Sequence, residues 1–582
     1  MKEKYGVNNI RELFYALLPV QIFSNLTSSL SGIVNGLVIG RYLSNLDMVA
    51  LGFAAPITAI IGVFATIVSS GSKILCGKYI GRGEKDKVNE TFTISIYLLI
   101  GISVVLTLLG LFFSRNIAAI IGTTPDALDK TTSYIRGLSI GILPTIVSPC
   151  LMVFLQMQNE SNYALASTVV LAGLNLTLGI SAMRFLNISI FGVGIVTSIS
   201  QYLTLLFLML RFFTIKTLPR IVGANDKSIY KDILLLGLPT ALAACLYNIR
   251  NMMFNVIAAN SYGTDAVNAL SILNSSCGPF DAINIGVGAT QLMLASVLIG
   301  EKDKEAVKTL TKLSMVVGLT LAFAKVAIIF VFAGNIAEFY GANESVKLLT
   351  VNLYKAYGIV MPVNILTLVY VNVYQSLSRV SFCNLLYVAC ALIVPVGFAY
   401  LFTPLLKINS VWYAYLVAEI VSVVLIYVYA CLKKKKLITN YLDVLCLEED
   451  IKVDNSISIS IKTMEEVIEV SKKVQDYCVN EKIDKRRSAI AGLCCEEMAA
   501  NIVEHGFTKS KKKHTSIDVY VCAENNEINI RIKDNAVAFD PHVKIHSNDD
   551  PTTNVGIKMV SKLAKEMSYQ NTFGLNVLTI TL

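Results

Sequence analysis

Four ionisable side chains sit inside long apolar runs of this 582-residue sequence: Arg250 in LYNIRNMMF, Asp281 in GPFDAIN, Lys325 in LAFAKVAII and Glu419 in YLVAEIVSV. An ionised group near a bilayer centre costs several kcal/mol unless it is paired or hydrated, so each is a functional candidate. All four histidines (His505, His514, His542, His546) lie elsewhere, so a titratable coupling group within these runs must be a carboxylate, Asp281 or Glu419. Asp281 closely follows a Gly-Pro pair, which breaks helical hydrogen bonding and frees carbonyls able to coordinate a cation. Plainer readings compete: a structural ion pair such as Arg250 with Asp281, and a backbone-carbonyl bond for Lys325. The polar residues Asn25, Asn35, Gln156, Asn175, Asn248, Asn255, Asn284 and Gln291 suit a wet cavity, or singly an interhelical hydrogen bond.

The elements that must position these groups are membrane spans. The sequence is 54% hydrophobic and 16% charged with mean hydropathy +0.60, well below the roughly 25% charge of a soluble domain. About 40 of the charged residues fall in 441–582, which is net about −4 against about +13 for 1–440. The composition is that of a membrane protein with a soluble tail. About twelve stretches are long and apolar enough to span: near 12–40, 48–76, 91–113, 133–157, 163–183, 190–213, 232–260, 266–298, 309–333, 350–376, 381–403 and 409–430. Basic clusters at Lys78–Lys87, Arg211–Lys231, Lys302–Lys308 and Lys433–Lys436 occupy alternate connections. The excess of Lys and Arg on cytoplasmic loops then places both termini in the cytoplasm of a multi-pass cell-membrane protein. The 12 cysteines are scattered without a CxxC pair, which excludes a zinc site or disulfide framework of recognisable spacing.

An internal repeat supports two six-helix halves. IVNGLVIGRY aligns with MFNVIAANSY at an offset of 220, pairing Asn35 with Asn255, and GEKDK recurs at Gly83–Lys87 and Gly300–Lys304. Parallel repeats of this kind build transporters with a cavity where the halves meet.

The stretches IVNGLVIGRYLSNLDMVALGFAAPI and SSGSKILCGKYIGRGEKDK resemble the opening of a multidrug and toxic compound extrusion (MATE) transporter, and the resemblance covers about residues 10–432. It implies a twelve-helix, two-lobed antiporter that exports small organic, often cationic, compounds against a Na⁺ or H⁺ gradient. Many members carry an aspartate in the first helix where this chain has Asn35, and an amide cannot take up a proton. Two other classes compete: a membrane-tethered regulatory kinase of the anti-sigma kind, and a lipid-linked saccharide flippase. The duplicated halves argue against the first, and the scarcity of deep basic residues against the second.

In the tail, SISISIK reads as a strand, followed by helices near 463–481 and 485–505. A hairpin follows from SIDVYVCAE to EINIRIKD across Asn525-Asn526, then a helix near 555–568 and a last strand NVLTITL. CCEEMAANIVEHGF, DNAVAFDP and NVGIKMV stand in the order of the three nucleotide boxes of the GHKL ATPase superfamily, and resemble most closely the anti-sigma-factor serine kinases. The resemblance implies ATP with Mg²⁺: Glu497 as catalytic base, Asn501 holding the metal, Asp534 accepting from the adenine amino group, and Gly556 admitting the phosphates. It also implies slow ATPase or serine kinase activity and a cytoplasmic protein target. Glu497 and Asn501, four apart, share one helical face. Ala536, Ala538 and Asn554 stand where the family has glycine, so strain is expected at any that needs φ > 0. His505 is expected to pack or cap locally. No GxxxxGK[ST] loop is present to power transport, and nothing points to nucleic acid.

The expected architecture is therefore an all-α polytopic membrane protein of two six-helix lobes plus a C-terminal α/β-sandwich GHKL ATPase-like domain. Its boundaries are 1–220 and 221–436 for the lobes, 437–455 for a linker and 456–582 for the nucleotide-binding domain. A chain ending near 440 is expected to insert and transport.

Overall fold

A computed structural model of the chain describes residues 7–186, 188–215, 219–451, 456–509, 515–524, 527–541 and 555–582. The side chains of 28–41 in the first helix lie outside this description, as do those of Val7, Asn8, Asn45 and Glu524.

The first half holds α1 (Val7–Tyr42), α2 (Asn45–Arg82), α3 (Lys85–Phe112), the short α4 (Ser114–Ile120), α5 (Pro125–Ser139), α6 (Ile142–Met157), α7 (Ser161–Leu186) and α8 (Ile190–Thr214). The second holds α9 (Ser228–Tyr262), α10 (Thr264–Gly300), α11 (Lys304–Phe339), α12 (Glu344–Ser376), α13 (Val380–Tyr387), α14 (Val394–Leu406) and α15 (Asn409–Lys434). Among the described residues ten helical stretches are long and apolar enough to cross a membrane, and the pair α5–α6, bent by 46°, makes an eleventh. The position of the twelfth is held by α1, 36 residues long. At 1.5 Å per residue such helices reach well beyond a 30 Å hydrocarbon core. A π-helical turn, Val388–Ile393, joins α13 to α14 just before Pro395, which has no N–H to continue an α-helical ladder.

The halves meet where α1 packs on α10, and α2 on α9 and α10. The crossing of α2 and α9 is reciprocal: a Cβ on Gly71 would strike the Ile233 carbonyl, and one on Gly237 the Ile67 carbonyl. Further along α2, Gly77 lies against Ser296 and Gly81 against Val297. Small residues let the backbones touch here. Gly52 and Gly62, nearer the other end of α2, face open space. At this end of the bundle the two halves are in direct backbone contact.

After α15 the chain does not hang free. Tyr441–Leu445 forms a 3-10 turn and α16 (Leu447–Asp450) follows, with Val444, Leu445, Cys446, Leu447 and Ile451 buried against the bundle. Tyr374 donates to the Val444 carbonyl at 2.7 Å, and the buried Arg379 donates to Asp450 at 2.7 Å and to the Cys446 carbonyl at 2.6 Å. The acidic run expected in a linker is thus held by basic side chains of the membrane part, with Lys433 and Lys434 joining Arg379.

The tail is a five-stranded antiparallel sheet in the order β1 (Ser456–Ile461), β2 (Ile517–Glu524), β3 (Glu527–Asp534), β5 (Leu575–Thr581), β4 (Glu566–Thr572). Period-two alternation sends Ile528, Ile530 and Ile532 of β3 into one core with Val470 and Val474 of α17 (Met464–Asn480), Met498 of α18 (Lys485–Asn501) and Val560 of α19 (Val555–Leu563). Strand β4 corrects the sequence reading, which ran the last helix to 568. The helix stops at Leu563, and Phe573 and Gly574, at φ +54° and +77°, make a tight turn that pairs β4 with β5.

The other face of the sheet lies on the end of the bundle where the halves are in contact. Asn9 of α1 donates to Asp518 at 2.6 Å, Gln570 to the Ile80 carbonyl of α2 at 2.5 Å, and the Phe573 amide to the Met157 carbonyl of α6 at 3.1 Å. From the second half, Glu301 accepts from Lys533 through its carboxylate and from Arg531 through its carbonyl. One sheet therefore touches both halves.

Candidate functional site

Three polar constellations stand out. The first lies within the second half. Glu419 of α15 accepts from Asn364 at 2.8 Å and from Thr367 at 2.9 Å, both on α12. Asn364 accepts from Asn284 of α10 at 3.2 Å, and Asn284 accepts from Lys325 of α11. A chain of amides thus joins a lysine to a carboxylate across four helices. Lys325 also donates to the Phe280 carbonyl at 3.2 Å, the backbone bond expected of it. Asp281 accepts from Tyr357 at 2.7 Å.

Arg250 forms no ion pair with Asp281, contrary to the pairing considered from sequence. Its guanidinium instead lies over the rings of Tyr247 and Tyr415, 4.9 and 4.8 Å from their centroids, with Phe254 at 5.9 Å. An aromatic cage supplies what the carboxylate was expected to supply. Asn35 falls in α1, and its side chain is outside the described ones. Gln291 makes the interhelical bond its type suggests, to the Val369 carbonyl at 3.1 Å.

The second constellation is a cavity of about 660 Å³ between the halves. Walls from α1, α2, α6, α7 and α8 face walls from α9, α10, α12 and α13. Of the polar residues expected to line a cavity, Asn25 and Gln156 do so, and Gln156 accepts from Gln21 at 2.8 Å. Sequence reading missed Lys73, Gln201 and Asn372, which also line it. Lys73 stands at the end of the expected span 48–76, where a lysine reads as interfacial. The helix continues to Arg82, nine residues further, which sets Lys73 about 14 Å in from that end.

The third constellation is a cavity of about 360 Å³ in the C-terminal domain. Asn501, at the end of α18, and Asp534, at the end of β3, both line it, with Ile502, Ile557 and Leu578 as apolar walls. Asp534 accepts from the Ala536 amide at 2.9 Å and from Asn576 at 2.8 Å, and Tyr569 donates to Asn576 at 2.7 Å. Glu497 lies one turn before Asn501, with its carboxylate against the Cα of Gly556, so close that no Cβ would fit there. Two of the four sequence-predicted residues, Asn501 and Asp534, line the cavity, and the other two, Glu497 and Gly556, touch each other outside its lining. The strain expected at Ala536 and Ala538 is absent, because neither has a positive φ. The Asp534 carboxylate, capping the Ala536 amide, turns the chain without a left-handed residue. Asn554 lies outside the described residues. His505, expected to pack or cap locally, is exposed and does not pack into the core. The π-helical turn Ile502–Phe507 carries it, exposed, to the cavity wall beside Lys509. Burial pushes the phenol of Tyr569 in this wall up to about 12, which keeps it a neutral donor.

The sequence model of the MatE family matches residues 21–181 and 239–401, one segment in each half. A second model, described as a histidine kinase-like ATPase domain, matches residues 462–582. The chain is 24% identical over 461 residues, 75% of its own length and 96% of the relative's, to the "Probable multidrug resistance protein YoeA" of Bacillus subtilis (strain 168). Among solved structures it superposes on a MATE crystallised in complex with MaD3S, with TM-score 0.69 and 19% identity over 77% of this chain and 100% of that one. It likewise superposes on an outward-facing multidrug resistance MATE family transporter of the MOP superfamily, with TM-score 0.67 and 18% identity over 77% and 100%.

Proposed function

This chain belongs to the MatE family and carries a histidine kinase-like ATPase domain, and from that premise we propose that it is an antiporter of the cell membrane. In this reading it exports small organic compounds in exchange for Na⁺ or H⁺, and its C-terminal domain binds nucleotide in the cytoplasm and regulates transport. The lobes are 1–220 and 221–436, and the regulatory domain 456–582 is joined to them by the packed segment 437–455. The observation that carries the reading is the cavity lined by both repeat-related halves, with their backbones in contact on the side toward the domain. Alternating access needs such a midplane site between two moving bodies.

The coupling group is assigned to Glu419 or Asp281, supported by their hydrogen bonds to Asn364, Thr367 and Tyr357. Arg250, held on the aromatic rings of Tyr247 and Tyr415, offsets part of the carboxylates' negative charge and favours release of a bound cation. Asn35 cannot titrate and takes no part in proton uptake.

In the domain, Asp534 and the apolar walls fit a purine, with the carboxylate at the floor of the cavity. ATP would supply a phosphate charge next to the start of α19. Asn501, whose amide nitrogen is engaged by its own helix at 2.7 Å, would offer its oxygen to Mg²⁺. Glu497 would orient the attacking group, and Gly556 would leave room for the phosphates. Slow ATPase or serine kinase activity toward a cytoplasmic protein follows from the same residues. The test is dye uptake into everted vesicles with Na⁺ and pH gradients imposed separately. Uptake driven by one gradient supports antiport, and uptake indifferent to both excludes it.

A further inference from the structure

The cavity between the halves carries an unbalanced charge. Among its described lining residues Lys73 is the single ionisable cation, and no aspartate or glutamate accompanies it. Among the described residues, the Lys73 ammonium has neither a hydrogen bond nor an ion pair to a protein group. An ammonium offers three donors and accepts nothing, so within protein it needs an anion, a carbonyl or water. The neighbouring polar groups do not meet that need. Ser69 and Ser70 bond to the Ala65 carbonyl and to Thr240, and Gln156 accepts from Gln21.

The membrane carboxylates are engaged elsewhere. Glu419 and Asp281 do not line the cavity, and each is held by partners on α12. The charge that does approach the cavity is again positive. Tyr247 forms part of the wall, and the Arg250 guanidinium stacks against its ring. The rest of the wall includes apolar surface from Met152, Leu171, Leu292 and Leu368. A cavity near 660 Å³ is of the size that encloses a drug-sized molecule.

We propose that this cavity binds amphipathic organic anions, compounds with a carboxylate, sulfonate or phosphate group on an apolar body, and that Lys73 is the residue that selects their charge. The proposal rests on the antiporter reading above and departs from the organic cations that the family resemblance led one to expect. A cation in this cavity would meet Lys73 with no carboxylate to offset it. An anion gains a charge-assisted hydrogen bond from the Lys73 ammonium.

Two dyes with the same xanthene body and opposite charge, fluorescein and rhodamine 123, test it on the full-length protein. Binding is read by fluorescence anisotropy in detergent and transport by uptake into everted vesicles. The expected result is fluorescein binding that falls at least about tenfold in Lys73→Gln and persists in Lys73→Arg, with rhodamine 123 bound more weakly than fluorescein by the wild type. Lys73→Gln should narrow or reverse that preference. Tighter binding of rhodamine 123 by the wild type, fluorescein binding unchanged in Lys73→Gln, or no fluorescein binding at all would each overturn the proposal. The antiport reading is judged separately. Lysine-dependent fluorescein binding without gradient-driven uptake would sustain the anion site and sink the antiporter. Gradient-driven rhodamine 123 uptake without fluorescein binding would do the reverse.

Discussion

Asn535 donates a 3.0 Å hydrogen bond to Glu12. The first residue follows Asp534 in the wall of the domain's cavity, and the second lies in α1, so the cavity and the first membrane helix are tied through one short stretch of backbone. Asn535 is buried and also accepts from the Ser516 amide, which ties the contact to the domain's interior. Asn535→Ala should weaken docking by about 1 kcal/mol, the net value of one such bond. Cross-linking of Asn9→Cys to Asp518→Cys, whose native side chains lie 2.6 Å apart, would report it as a slower reaction when Asn535 is also replaced.

Glu419→Gln and Asp281→Asn separate the two coupling candidates. The amide at 419 can still accept from Thr367, so folding should survive while gradient-driven efflux is lost. Vesicle uptake with matched expression reads this. Normal transport by both variants would remove second-half carboxylate coupling.

The buried Arg379 sets where the tail can be cut. A chain ending after residue 451 keeps Asp450 and should transport, with regulation altered. One ending near 440, the cut favoured by composition alone, strips Arg379 of its carboxylate and should cost about 3–5 kcal/mol. A lower thermal midpoint in detergent for the shorter chain, matched by Asp450→Ala, is the expected observation.

Nucleotide binding should be weak, in the micromolar-to-millimolar range (roughly −8 to −4 kcal/mol), because Ala536 and Ala538 put Cβ atoms into the wall of the cavity. Titration calorimetry on the full chain should show heat with Mg-ATP that Asn501→Ala reduces. No heat at millimolar Mg-ATP, or heat indifferent to Asn501→Ala, would mean the domain has kept its shape and lost its ligand.

Asp226 gives a pH signature outside the membrane. It lies in the connection before α9, and a 2.7 Å hydrogen bond from Lys87, with further bonds from Ser228, holds its carboxyl down to about 2. A carboxyl depressed on folding stabilises the native state above its ordinary value near 4, and the gain is lost as pH falls toward 2. Wild type should therefore unfold at higher temperature than Asp226→Asn at neutral pH, and the difference should shrink between pH 4 and 2.

Much of this was legible in the residues. All expected spans fall on helices, because a run of about 20 apolar residues admits few other states in lipid. Asn501 and Asp534 line one cavity, and Glu497 meets Gly556, because their segments sit on a helix, a strand end and a helix start. Strand β4 was hidden because EMSYQNT is polar enough to continue a helix, and only the Phe573-Gly574 turn marks its pairing. Lys73 was hidden by a span drawn too short. The seating of 437–451 escaped because acidic composition reads as solvated, and its partners Arg379 and Lys308 are distant in sequence.

The two halves repeat one pattern, with GEKDK at the same place in each and one matched segment of the family model in each. The sheet ends that equivalence. The second GEKDK offers Glu301 to Lys533, while in the first copy Glu84 lies near Arg82 of its own half. A body fixed to both halves by different contacts cannot fit equally well at every spacing between them. By thermodynamic reciprocity, any factor by which nucleotide favours the seated arrangement is the factor by which that arrangement favours nucleotide. A transport cycle that separates the halves at this end would then be recorded in the domain's affinity for its ligand, making the tail a gauge of turnover.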